Sequence, residues 1–525
     1  MKRVVLAVFA CGILVTATTP AFSQTLAVDD PVLQAIWTEA MENSHLEQLA
    51  HELMDGFGTR LTGSRQYQAA HQWAVEKFTE WGIQAENEQW GTWVGWERGI
   101  THVDLLEPWV RTLDAMSHAW SPGTTRPVNA EVVIVPEVAD SNEFRAWLPE
   151  ARGKFVLVSF PEPTGRPDAV WEEYATPESY EKMQEERNAA RQAFTENFNR
   201  AGFEGRRPEA GLVEALEEAG AAGMFSMNWM GGWGTDRVFS GYTREIPSVQ
   251  LALEDYTMLY RMAEGGMHPV VEIEAETEFL GDQPAFNTIA MIPGSEKPNE
   301  YVILMGHFDT TSGAFGACDN TTGSLMAMEA ARILRKYYPD PKRTIVVGLW
   351  GSEEQGLNGS RAFVEDHPEI INGLQAGFNQ DNGTGRIVRM SDMGFIEAGP
   401  YLSKWLSLVP TEVSAHVDLT LPGMPSGSGS DHASFVAVGA PCFSLGAHRW
   451  EYDYTWHTRR DTYDKLVFDD WRNNVVLAAS LAYLASEEED TVPRTKRVLP
   501  IDPRTGEPRE WPAPRPATRK GGGGL

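Results

Sequence analysis

The strongest constraint on the fold is an alternation that begins near Asn287. Short apolar runs at Ile289–Ile292, Tyr301–Met305, Thr344–Trp350 and Cys442–Leu445 take turns with amphipathic stretches such as Leu325–Tyr337. A short apolar run suits a strand covered on both faces, and an amphipathic stretch suits the helix that covers it. The pattern predicts an α/β fold: a mainly parallel, mixed sheet sandwiched by helices. Upstream, Ile36, Ala40, Leu46, Leu49 and Leu53 recur at three- and four-residue steps, as do Ala70, Trp73, Ala74, Phe78 and Trp81. These predict helices on either side of the glycine-punctuated loop Gly56–Ser64. A last helix is expected from Phe468 to about Glu488.

At 525 residues the chain exceeds one ordinary core. Residues 24–112 and 280–490 are expected to form one body, interrupted by 113–279. That middle segment carries short β-type runs at Glu131–Val135, Phe155–Phe160 and Val270–Ile273, with glycine-rich spacers such as Ala219–Gly223. It predicts an inserted β-rich domain, itself interrupted by a charged helical insertion near 162–218. Residues 493–525 hold seven prolines and eight basic residues against three acidic ones. Such a stretch cannot bury enough apolar surface by itself, so 491–525 is expected as a flexible tail.

Residues 1–23 read as a signal peptide: Lys2-Arg3, the ten-residue apolar run Leu6–Val15, then Ala21-Phe22-Ser23. Ten residues are too few to span a bilayer, and no later segment reaches that length. Cys11 lies inside the apolar run and not after it, which argues against a lipoprotein. The expectation is an exported protein, periplasmic or extracellular. Losing Lys2 and Arg3 takes the net charge from −30 to −32, a balance that repels phosphate backbones and excludes nucleic acid as a partner. Past the leader only Cys318 and Cys442 remain. One disulfide is possible, a disulfide framework is not, and a metal site must use His and carboxylates.

The chemistry collects where strands end. Tyr301–Met305 runs into Gly306-His307-Phe308-Asp309, and ligands of open parallel sheets bind at the carboxyl ends of strands. Thr344–Trp350 leads into Gly351-Ser352-Glu353-Glu354, and Ala376–Gln380 into Asp381. Asp319-Asn320 stands just ahead of a helix start. Gly429-Ser430-Asp431-His432 and Trp456-His457-Thr458, with Asp461-Thr462, complete the set. Histidines and carboxylates without thiolates suit a hard-to-borderline divalent ion, zinc foremost, and one bridging carboxylate would make a paired-metal hydrolytic centre.

This order of motifs resembles the co-catalytic di-zinc exopeptidases, a family that includes bacterial secreted aminopeptidases and plasma glutamate carboxypeptidase (carboxypeptidase Q). The match covers roughly 30–112 and 280–490. The intervening segment resembles a protease-associated domain through Gly220–Phe225, Ile246-Pro247-Ser248-Val249 and Leu253-Glu254-Asp255. The resemblance implies two Zn²⁺ ions, held by His307, Asp319, Asp381, Glu354 and His457 with Asp319 bridging. Which ion takes Asp381 and which His457 is left open. It further implies that Asp309 orients His307 and that Glu353 is the general base towards a water held between the metals. Asp431 and His432 are expected to position loops or to act directly, and Tyr452 or Tyr454 to stabilise an oxyanion. The implied activity is that of an aminopeptidase or dipeptidase on peptide or dipeptide substrates, with a carboxypeptidase Q-like activity as the alternative. An aminoacylase-type hydrolase would carry its extra domain between the last carboxylate and the final His. Here Asp381 and His457 are only 76 positions apart. A non-catalytic binding ectodomain of this fold would have lost its ligands, and this chain keeps them.

Overall fold

The computed structural model describes residues 29–522, apart from 204–207, 235, 242 and 450–451. The signal peptide expected at 1–23 lies outside the described residues. The centre of the fold is a sheet in the order Asp418–Thr420, Ile387–Ser391, Cys442–Ala447, Leu374–Gln380, Lys297–His307, Arg343–Trp350 and Val270–Ile292. The three contacts among Cys442–Ala447, Leu374–Gln380, Lys297–His307 and Arg343–Trp350 are all parallel. Val270–Ile292 joins antiparallel, which makes the sheet mixed. The helices Thr322–Tyr337 and Phe468–Glu487 pack on the sheet and against each other, and both are buried along most of their length. That burial follows from their Ala, Leu, Met and Val stripes, while Glu329 and Arg332 of the first helix are buried as a pair.

The amino-terminal helices Pro31–Glu42, Leu46–Ala50 and Arg65–Glu80 flank the Gly56–Ser64 loop. They lead into a 24-residue strand, Gln84–Glu107, paired antiparallel along nearly the whole of Val270–Ile292. Sequence patterning missed this strand, because its Trp, Gly and charged residues do not alternate cleanly. These two long strands run out of the first core into a second one. There Val128–Ile134, Phe155–Leu157, Gly223–Ser226, Ser248–Leu251 and Ala115–Ser117 extend the sheet. Asp168–Tyr174, Pro177–Ala201 and Pro208–Ala219 lie between its short strands, in the span read from sequence as a charged helical insertion.

The carboxyl-terminal stretch, expected as a flexible tail, is instead a strap laid over the body. The Trp511 ring meets Phe395, and its indole N–H donates to the Val436 carbonyl at 2.8 Å. Arg519 pairs with Glu365 and Asp366, and Lys520-Gly521 pair with Thr92-Trp93 of the long strand. The composition argument counted only what the tail could bury within itself. A preformed surface with acidic anchors supplies the missing contacts. Cys318 and Cys442 are both buried free thiols. Among the described residues no helix is long and apolar enough to cross a membrane.

A buried charge network ties the first helix to the one that follows Asp319. Glu39 accepts from Arg332 at 2.8 Å, from Lys336 at 2.9 Å and from Tyr337 at 2.9 Å, while Arg332 also holds Glu329. Burial pushes the Glu39 carboxyl up, but these donors outweigh it and hold the pKa down to about 2 from 4.5. A lowered carboxyl contributes stability that is complete above its ordinary pKa and is lost as the pH falls through the lowered value. Glu39→Gln is expected to cost about 3–5 kcal/mol at neutral pH, the usual loss when one partner of a buried pair is removed. Denaturant unfolding from pH 7 to 2 should show the gap between variant and wild type closing below pH 5. A constant gap would exclude this origin.

Candidate metal centre

Four loops meet at the carboxyl end of the parallel strands. His307 is the last residue of its strand, the Gly351–Glu354 turn follows Trp350, and Asp381 follows Gln380. Asp319 sits in the Ala317–Thr321 turn before the helix that starts at Thr322. Close packing aims this turn at Asp381: a Cβ on Gly323 would strike the Gln380 carbonyl oxygen. Asn320 fastens the same contact, donating from Nδ2 to the Gln380 carbonyl at 2.8 Å and accepting from the Gly323 N–H at 2.8 Å. Asp461 holds the turn from the other side, accepting from the N–H groups of Cys318 at 2.7 Å and Asp319 at 3.2 Å. His457 is set in a left-handed backbone conformation, φ 59°, against the edge of the Phe239 ring.

The side chains gather into two triads that share Asp319. His307, Asp319 and Asp381 form one, and Asp319, Glu354 and His457 the other, with ligand atoms in each within 4.8 Å of one another. His307 Nε2 lies 2.8 Å from Asp319 Oδ1 and 2.9 Å from Asp381 Oδ1. His457 Nε2 lies 2.9 Å from both Asp319 Oδ2 and Glu354 Oε2. The choice left open by the sequence thus resolves in space: Asp381 groups with His307, and Glu354 with His457.

The donor set fits a divalent metal. His307 Nδ1–H donates to the Asp309 carbonyl at 3.0 Å, so in the neutral ring Nε2 carries a lone pair, and it faces two carboxylate oxygens. Asp319 Oδ2 is buried without a hydrogen-bond partner, although His457 Nε2 is only 2.9 Å away. Two carboxylates within 4.8 Å repel by about 3 kcal/mol or more at a protein-like dielectric, so each triad demands a cation, either a proton or a metal. Burial opposes the charged form of both rings, yet the carboxylates push His457 up to about 10 and His307 well above its usual range. Burial also opposes ionised Asp319, but the two imidazoles hold it far below the carboxylate range. Glu354 is raised to about 7 by burial and then by Asp319. Two imidazole nitrogens and three carboxylates, with no thiolate among them, are a zinc-type donor set.

The remaining expected residues divide. Asp309 is fully buried, but its carboxylate is 3.7 Å from His307 Nδ1. It accepts instead from the N–H groups of Glu353 at 3.0 Å and Glu354 at 3.3 Å, so it shapes that turn while its carbonyl orients the ring. Glu353 lines the cleft, and among the described residues its carboxylate has no hydrogen bond or ion pair. Asp431 and His432 lie outside both triads. Asp431 is buried with both oxygens unpartnered and raised to about 7 by burial, with Asp381 and Asp309 adding to it. His432 is lowered to about 4 by burial, and its Nδ1 lies 3.4 Å from Asn379 Nδ2. Tyr454 is a correction: it is 37% exposed and does not line the cleft, whereas Tyr452 does. Both stand on the short helix Tyr452–Thr455, where a two-residue step turns the side chain to the opposite face.

Sequence reasoning missed Arg60. It is fully buried and donates to the Phe308 and Phe315 carbonyls and to Thr321, as a fixed cation beside Asp309, Asp461 and Asp319. Its signal was the Gly56–Ser64 loop, read only as a connector.

Residues 287–482 match the family model of Peptidase family M28. That match, with the relatives below, supports a co-catalytic zinc exopeptidase. This exopeptidase is 26% identical to human carboxypeptidase Q over 470 residues, 88% of this chain and 89% of the relative. It is 27% identical to the Mus musculus carboxypeptidase Q over 447 residues, 84% and 86% of the two chains. Its fold is that of a Peptidase M28 precursor from Shewanella amazonensis (TM-score 0.64, 21% identity, 88% of this chain and 97% of that one). A zinc aminopeptidase from Bacillus subtilis is similar as well (TM-score 0.57, 17% identity, 86% and 97%).

Because Asp319 belongs to both triads of this exopeptidase, Asp319→Asn is expected to remove more bound zinc than His307→Ala or His457→Ala, each of which touches one triad. Metal content per folded chain checks this. Equal losses from all three would mean that the triads do not share Asp319.

Proposed function

We propose that this metallo-exopeptidase binds two zinc ions and acts as an aminopeptidase or dipeptidase on short peptides, with Glu353 as general base. The observation that carries the reading is the contrast between neighbours: Glu354 is committed to His457 and the shared Asp319, while Glu353 faces the cleft with no protein partner. His307, Asp319 and Asp381 would hold one ion and Asp319, Glu354 and His457 the other. When bound, zinc supplies Lewis-acid polarisation of a carbonyl and makes water more acidic. Glu353 takes the proton of the attacking water and delivers it to the leaving amine. Its backbone is anchored for this by Asp309, so the carboxylate turns while the turn stays fixed. The Tyr452 hydroxyl, kept protonated by burial and by the Asp319 and Asp381 charges, lines the cleft and would donate to the developing oxyanion. The leader at 1–23 supports export of the mature chain.

Glu353→Gln retains size but cannot take a proton, and turnover on a dipeptide should fall by about 10²–10⁴-fold. Zinc content and melting temperature should match the wild type, since Glu353 belongs to neither triad. Glu354→Gln should lose zinc as well as rate. Zinc lost from Glu353→Gln and retained in Glu354→Gln would reverse the two roles.

A further inference from the structure

Two arginines enter the metal cleft without an acidic partner. Arg361 comes from the helix Asn358–Asp366 and Arg515 from the carboxyl-terminal strap. Both line the cleft of about 350 Å³ together with Asp319, Glu353, Asp381 and His457. Both also line an adjoining pocket of about 160 Å³, so they stand in the wall between the two. Among the described residues neither guanidinium makes a hydrogen bond or an ion pair. Of the other strap arginines, Arg494 is held by carbonyls of 371–374, Arg497 by the Pro422 carbonyl, Arg509 by Asp502 and Arg519 by Glu365 and Asp366, while Arg504, which lines neither pocket, has no such side-chain partner among the described residues.

Arg515 is held in place although it is exposed. Trp511 anchors the strap four residues earlier. Two residues later the Ala517 N–H donates to Glu365 at 2.9 Å, and the Thr518 N–H donates to the Asn358 side-chain oxygen at 2.8 Å. The anchors on Glu365 and Asn358 use the very helix that carries Arg361, which fixes one arginine relative to the other. Burial lowers Arg361 and the charge of Arg515 lowers it further, while Asp431, Glu353 and Glu365 oppose them from a distance without pairing. Like charges in one wall are unfavourable until an anion joins them. A planar guanidinium fork matches a carboxylate in bidentate fashion, better than any other side chain does.

We infer that Arg361 and Arg515 form the subsite that takes the free α-carboxylate of the substrate, and that the carboxyl-terminal strap thereby completes the active site. The inference rests on the exopeptidase reading above and narrows it to dipeptide-like substrates. One residue of extended chain spans about 3.3–3.6 Å, so a carboxylate gripped in the wall of the reaction cleft ends the substrate shortly after the scissile bond. The basic character of the tail, set against a strongly acidic body, finds its use here.

The test measures kcat and KM of the zinc-loaded full chain on Ala-Ala, Ala-Ala amide and Ala-Glu amide. Wild type should favour Ala-Ala over its amide. Arg515→Gln should raise KM for Ala-Ala about 10-fold or more, the worth of a charge-assisted hydrogen bond. Its KM for Ala-Ala amide, which offers no carboxylate to grip, should move far less, and its melting temperature should hardly move, because Arg515 is exposed. The double variant Arg361→Gln, Arg515→Gln should abolish the preference. A loss confined to Ala-Glu amide would overturn the α-carboxylate assignment in favour of a side-chain carboxylate. Equal losses on acid and amide, or none on either, would overturn the subsite alone. Wild type inert on all three substrates would overturn the exopeptidase reading itself.

Discussion

Asp319 presents one carboxylate oxygen to each histidine, 2.8 Å to His307 and 2.9 Å to His457, and the rest of the site is arranged around that division. A carboxylate shared in this way must be aimed within a fraction of an ångström, and a surface loop could not do so unaided. The turn bearing Asp319 is therefore clamped on two sides. Asn320 and the bare Gly323 press it onto the strand before Asp381, and Asp461 accepts two of its N–H groups. Arg60 adds a buried fixed cation that offsets part of the crowding of negative charge. The arrangement concentrates Asp309, Asp319, Glu353, Glu354, Asp381, Asp431 and Asp461 in one place, a burden that two imidazoles and one guanidinium relieve only in part.

The scaffold beneath is rigid for a simple reason. Parallel strands covered on both faces and helices buried along most of their length leave few side chains free to move, so loops at the strand ends inherit fixed origins. The two long antiparallel strands carry the second core without opening the first, and Phe239 of the middle segment reaches back to the His457 ring. The middle segment thus touches the site at a histidine of one triad as well as extending the sheet.

The carboxyl-terminal strap shows how a composition that cannot fold alone becomes ordered. Its prolines and basic residues hold no core, yet Trp511 finds a seat on Phe395, and Arg519 finds two carboxylates on the helix Asn358–Asp366. Ordering entropy is offset by contacts with a surface that already exists, the same trade that lets short segments fold on binding. The charge asymmetry between tail and body, visible in the sequence, is met by ion pairs of Arg519 with Glu365 and Asp366 and of Lys520 with Asp282.

The sequence by itself determined the sheet, the helices over it and the identities of the ligand-type residues. Apolar strand runs must end somewhere, and His307, Glu353-Glu354 and Asp381 stand at those ends. It could not decide how these residues group, because grouping depends on distances between loops that are far apart along the chain. Only the tertiary structure paired Asp381 with His307 and Glu354 with His457, because adjacent parallel strands and the Asn320 clamp set which loops face each other. It also showed the Asp309 carboxylate accepting from two backbone N–H groups while standing 3.7 Å from the imidazole, and put Tyr452 in the cleft in place of Tyr454 by one half-turn of helix. The same holds for Arg361 and Arg515: they are 154 positions apart in the chain, and they share a wall of the cleft because the strap docks on the helix that carries one of them.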